Sequence, residues 1–140
     1  MPLFKVPHTS DVYDVTLLKC WMDDGIMFSI SKPGERTVEN YEEIIGVYRE
    51  LSNNGTQKLC IIGDITKTEP SIKAVRDFLS VELPKYVKAM ALISNSPMGR
   101  EIGVLFKTLS SSPYPLRVYD DLEEATKWLK EELANERASK

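Results

Sequence analysis

Two short runs, Leu59-Cys-Ile-Ile62 and Ala89-Met-Ala-Leu-Ile93, contain no polar side chain, and each follows a stretch in which apolar residues recur every three or four positions. A short apolar run bounded by polar segments suits a strand buried on both faces, as in a parallel sheet covered by helices. Parallel strands cannot be joined by a tight turn and need a crossover, usually a helix. Buried strands separated by helical patterns therefore confine the chain to the α/β class.

The first helical pattern consists of Val38, Tyr41, Ile44, Ile45, Tyr48 and Leu51, with Thr37 as N-cap and Asn53, Asn54 and Gly55 as a stop. The second, Ile72, Val75, Phe78 and Leu79, cannot run unbroken far past Pro84, whose ring and missing N–H oppose a continuing helix. Upstream, Thr16 to Met22 and Ile26 to Ile30 flank Asp23, Asp24 and Gly25, a hairpin signal because Asp and Gly tolerate positive φ. Downstream, Ser96 and Pro97 suit a helix start, and Met98, Ile102, Leu105, Phe106 and Leu109 line one face of a third helix. Leu116 to Tyr119 reads as a short strand. Asp121 with Glu124 forms a capping-box pattern for a closing helix whose stripe is Leu122, Ala125, Trp128, Leu129 and Leu133. The expected order is β-β-α-β-α-β-α-β-α, a single mixed, largely parallel sheet of four to five strands with helices. One domain is expected over residues 1–140, with an N-terminal arm over 1–14 and a frayed tail over 135–140.

Composition narrows the partners. The 18 Lys and Arg residues lie scattered among 21 acidic ones, giving a net charge of −3, so the clustered cations that hold nucleic acid are missing. No run approaches the about 18 apolar residues of a membrane span, and Met1 to Ser10 has no apolar core of a secretion signal. Cys20 and Cys60 lie in strand-like runs and read as buried, reduced thiols, consistent with a cytoplasmic location.

Three segments, Lys88-Ala-Met-Ala-Leu-Ile-Ser, Met98-Gly-Arg-Glu-Ile-Gly-Val-Leu-Phe and Leu116-Arg-Val-Tyr-Asp-Asp-Leu-Glu-Glu-Ala-Thr-Lys-Trp-Leu, together with the order of elements, resemble the bacterial SpoIIAA-like, or STAS-like, group. The closing strand and the Asp-Leu-Glu-Glu-Ala-Thr-Lys-Trp-Leu helix carry most of that resemblance. It implies a STAS-like sheet, no enzymatic activity, and work through protein partners such as kinases and anti-sigma factors. Some relatives resemble lipid-binding CRAL-TRIO folds. In anti-sigma-factor antagonists of the group, a serine in an Asp-Ser-Ser-Gly motif at the helix start after the third strand is phosphorylated. The matching stretch here is Asp64-Ile-Thr-Lys-Thr-Glu-Pro-Ser71, which keeps Asp64 but has no Ser-Gly, so Thr66, Thr68 and Ser71 offer hydroxyls without a direct counterpart of the phosphoserine.

In parallel sheets, ligands gather beyond the carboxyl ends of the strands. Two loops fall there. Asp64, Thr66, Thr68 and Ser71 form a candidate interaction or phosphorylation loop, and Ser94, Asn95 and Ser96, with Arg100 one turn inside the next helix, a candidate ligand or anion loop. Helix capping is the commoner use of such hydroxyls. No catalytic residue is assigned: the single histidine, His8, lies in the arm, and Asp64 with Arg100 lacks a second acid or base at readable spacing. One histidine and two distant cysteines supply no metal spacing, and no glycine-rich fingerprint follows a strand, so neither metal nor cofactor is expected. The chain is thus read as a non-enzymatic regulatory module with a protein partner, with room for a homodimer, no nucleic acid and no membrane span. The alternative is a carrier or sensor of a small apolar or lipid-like ligand, held between the sheet and the helices bearing Phe78, Leu79, Met98, Ile102 and Phe106.

Overall fold

The computed structural model describes residues 11–67, 72–94, 97, 101 and 114–138. The strands are β1 (Tyr13–Asp14), β2 (Leu18–Asp23), β3 (Ile26–Ser31), β4 (Leu59–Asp64), β5 (Val87–Ile93) and β6 (Leu116–Tyr119). The described helices are α1 (Val38–Leu51), α2 (Lys73–Tyr86) and α3 (Leu122–Ala138). The strands form one six-stranded sheet in simple sequential order. β1, β2 and β3 pair antiparallel, whereas β3, β4, β5 and β6 are parallel. The sheet therefore has one strand more than the largest number expected. The extra strand is β1, two residues long, which turns the last part of the expected arm into a sheet edge. At the other end α3 continues through Asn135 to Ala138 where fraying was expected, in keeping with the helix propensity of Ala, Glu and Arg. The helix expected over Met98 to Leu109 lies outside the described residues apart from Glu101.

Local chemistry explains the boundaries. At the β2–β3 turn both central residues have positive φ, Asp24 at 52° and Gly25 at 82°, the requirement of the turn whose twist matches a hairpin. Trp21 and Phe28 face each other across the two strands with rings stacked at 6.0 Å. Thr37 Oγ1 accepts from Asn40 N at 3.1 Å to cap α1. Asn53, Asn54 and Gly55 all have positive φ and end that helix. α2 runs two residues beyond Pro84 and passes directly into β5 at Val87. The register between β4 and β5 slips at this junction: Leu59 faces Val87 and Cys60 faces Ala89. The skipped Lys88 sends its Nζ to the Glu132 carbonyl of α3, 2.7 Å away.

Sheet alternation divides the core in two. On one face Met27, Leu59, Ile61, Met90 and Leu92 pack with Ile44, Ile45 and Tyr48 of α1 and Val75, Leu79 and Leu83 of α2. The other face carries Ile26, Cys60, Ile62, Ala89, Ala91 and Ile93 and is covered by Ala125, Trp128 and Leu129 of α3. α1 and α2, which connect consecutive parallel strands, pack on the same side of the sheet, where they touch each other. The small Ala89 and Ala91 let α3 lie close, and Trp128 fills the space toward Tyr119, with the Arg117 guanidinium 4.9 Å from its ring centre. At the start of α3, Asp121 Oδ1 accepts from Glu123 N at 3.0 Å, one residue earlier than in a capping box.

Candidate functional site

The parallel strands place their carboxyl ends side by side, with Ile30 opposite Asp64 and Asp64 opposite Ile93. The two loops singled out from the sequence leave from adjacent strands at this edge, so Asp64, Thr66 and Ser94 do come together there. Thr68, Ser71, Asn95, Ser96 and Arg100 lie outside the described residues.

Asp64 is 3% exposed, and its Oδ1 accepts from Thr66 N at 3.0 Å. This short side-chain loop mimics a turn and bends the chain just after the strand. Ile65 N meanwhile donates to Ile93 O at 2.9 Å, extending the ladder by one residue. The carboxylate thus shapes the segment that carries half-buried Thr66 and exposed Lys67. Ser94 is also buried, at 3% exposure. Beneath the rim the sheet is lined by small residues. Ser29 lies opposite Gly63 and donates to Ile62 O at 3.4 Å, and a Cβ at Gly63 would stand 3.3 Å from Ser29 Oγ.

Arg36 is the member of this edge that sequence reading missed. It ends the polar turn after β3, a position at which a cation would ordinarily be solvated. Parallel pairing of β3 with β4 instead brings the Lys67 segment alongside it, and Arg36 is 9% exposed. Its Nη2 donates to Lys32 O at 3.0 Å, Lys67 O at 3.3 Å and Ser31 Oγ at 3.4 Å. Its Nε is buried without an acceptor. The neighbouring Lys32 points elsewhere, to the Asp14 carboxylate and Val15 O. That contact holds the Asp14 carboxyl below the usual carboxylate range. The only sequence signal for Arg36 was its place immediately before the N-cap of a helix that follows a strand.

The cysteines lie away from this edge. Burial pushes the Cys20 thiol up to about 12, which keeps it protonated and a poor nucleophile. Cys20 and Cys60 are both buried free thiols and belong to opposite faces of the sheet. Among the described residues no group of three or more His, Cys, Asp or Glu side chains could hold a metal ion. No described helix is long and apolar enough to cross a membrane. Of the side chains named for an apolar ligand, Leu79 belongs to the core under α2 and Phe78 packs against it, while Met98, Ile102 and Phe106 lie outside the described residues.

Comparison with known proteins agrees with this architecture. The profile of the family described as "Domain of unknown function (DUF7793)" matches residues 20–133, and the chain belongs to that family. An uncharacterised protein of the DUF3478 family from Shewanella loihica PV-4, solved by crystallography and described as having a SpoIIAA-like fold, superposes with a TM-score of 0.59. The two are 14% identical, and the match covers 90% of this chain and 99% of the other. The fold is therefore SpoIIAA-like, as the closing strand and helix suggested. No curated protein matches the chain.

Proposed function

We propose that this DUF7793 member is a non-catalytic module of bacterial signalling, which engages a protein partner through the rim at the carboxyl ends of β3, β4 and β5. The observation that carries this reading is the use made of Asp64. Its carboxylate is buried and holds Thr66 N, so it builds the loop instead of standing free to move protons. The loop in turn presents exposed Lys67, with the hydroxyls of Thr68 and Ser71 following in the chain. A bend fixed at a sheet edge, followed in sequence by these hydroxyls, suits recognition that is switched by charge.

Capture from native cells followed by quantitative mass spectrometry tests this reading. Wild-type protein is compared with Lys67→Glu, Thr68→Asp and Ser71→Asp, and with Glu42→Lys on α1 as a surface control. The expected result is one protein retained by wild type and the control and lost from the loop variants. Equal retention by every variant sinks the proposal.

A further inference from the structure

Arginine keeps its charge at any pH at which a protein is folded, so the Arg36 guanidinium is a permanent cation at 9% exposure. A cation taken out of water is normally held beside a carboxylate, because its lost hydration is otherwise poorly replaced. No described carboxylate lies within ion-pair distance of Arg36. Glu35 and Glu39, its nearest acids along the chain, are exposed. All three of its described hydrogen bonds leave from Nη2 to neutral oxygens, and Nε has no acceptor. Among the described residues, therefore, no carboxylate compensates the positive charge of Arg36 at the carboxyl ends of two parallel strands, where sheets of this kind take their ligands.

We propose that Arg36 binds a phosphoryl group at the carboxyl ends of β3 and β4. A guanidinium fork matches the paired oxygens of such a group. Exposed Lys67 adds a second positive charge to the same edge, which suits a dianion better than a carboxylate. Lys32, the other nearby cation, is already held by Asp14. The inference concerns Arg36 alone and needs no partner, so it stands or falls separately from the rim contact proposed above.

The test is thermal unfolding of the full chain titrated with inorganic phosphate, phosphoserine or acetate at ionic strength matched with chloride, so that screening is held constant. Wild type should show a saturable rise in Tm with phosphate or phosphoserine, and a smaller one with acetate. Arg36→Met should abolish the rise, with an anion-free Tm equal to or above that of wild type, because the buried charge is gone. Arg36→Lys, which keeps the charge but not the fork, should weaken binding by about tenfold, and this variant with the wild-type titration decides the matter should Arg36→Met not fold. Saturation with inorganic phosphate assigns a small free anion, and saturation with phosphoserine alone assigns a modified side chain. No saturable rise in wild type, a rise that persists in Arg36→Met, or acetate matching phosphate overturns the proposal.

Discussion

The Asp64 carboxylate is turned back onto its own main chain, and this decides what substitutions there should do. Asparagine keeps an oxygen to accept from Thr66 N, whereas alanine leaves that N–H to seek another partner. Asp64→Ala should therefore cost about 1–3 kcal/mol in urea unfolding, and Asp64→Asn clearly less. Equal losses would show that the charge, and not the turn, is what the site needs. Glu43 is a second carboxylate that serves the architecture. It accepts from Thr16 N at 2.9 Å and Thr16 Oγ1 at 3.1 Å, tying the segment between β1 and β2 to α1. The main-chain bond from Thr16, and then the hydroxyl bond, hold its carboxyl below the usual range. A carboxyl lowered by folding contributes stability above its unfolded value, near about 4.3, and loses that contribution as pH falls through the folded one. The urea midpoint of wild type should thus fall more steeply than that of Glu43→Gln as pH drops below about 4.

Among the elements, the junctions are more constrained than the interiors. Gly55, at φ +86°, closes the end of α1 against the end of α2, and a Cβ there would stand 2.8 Å from the Lys85 carbonyl oxygen. Gly55→Ala should therefore destabilise by more than about 1 kcal/mol, since both the backbone angle and the space oppose a side chain. Gly46, where nothing lies within 4 Å of an added Cβ, is the matched control inside α1; its change to Ala should be neutral or stabilising. A similar loss at both positions would show that the contact with Lys85 is not what matters. The same junction ends α2 without a loop. Pro84, the following Tyr86 and the slipped register at Lys88 together turn helix into strand over a few residues.

At the scale of the molecule, α3 is the described helix that covers the second face of the sheet, and its Leu129 is fully buried. Leu129→Ala should cost about 2–5 kcal/mol in chemical unfolding; a loss below about 1 kcal/mol would mean that α3 adds little to that core. Much of this architecture was legible because the relevant signals are local. Asp24 and Gly25 marked the hairpin, Thr37 the start of α1, and the stripe through Trp128 and Leu129 the closing helix. β1 was not legible, because two residues carry no periodicity and Tyr13 and Asp14 become a strand only by pairing with Cys20 and Lys19. Of the candidate site, the meeting of Asp64 with Ser94 followed from strand order. The burial of Arg36 did not, since it depends on Lys67, far along the chain, being brought beside it by the pairing of β3 and β4. The sequential order of the sheet has one more consequence, for synthesis. After β1, each strand emerges from the ribosome next to a neighbour already made, so the sheet can grow in the order of translation. Among the described helices α3 is the one that packs on Ile62, Ala89, Ala91 and Ile93, and it follows every strand, so its cover for that face is the last to be made and the nascent chain gains most from a chaperone before α3 is complete.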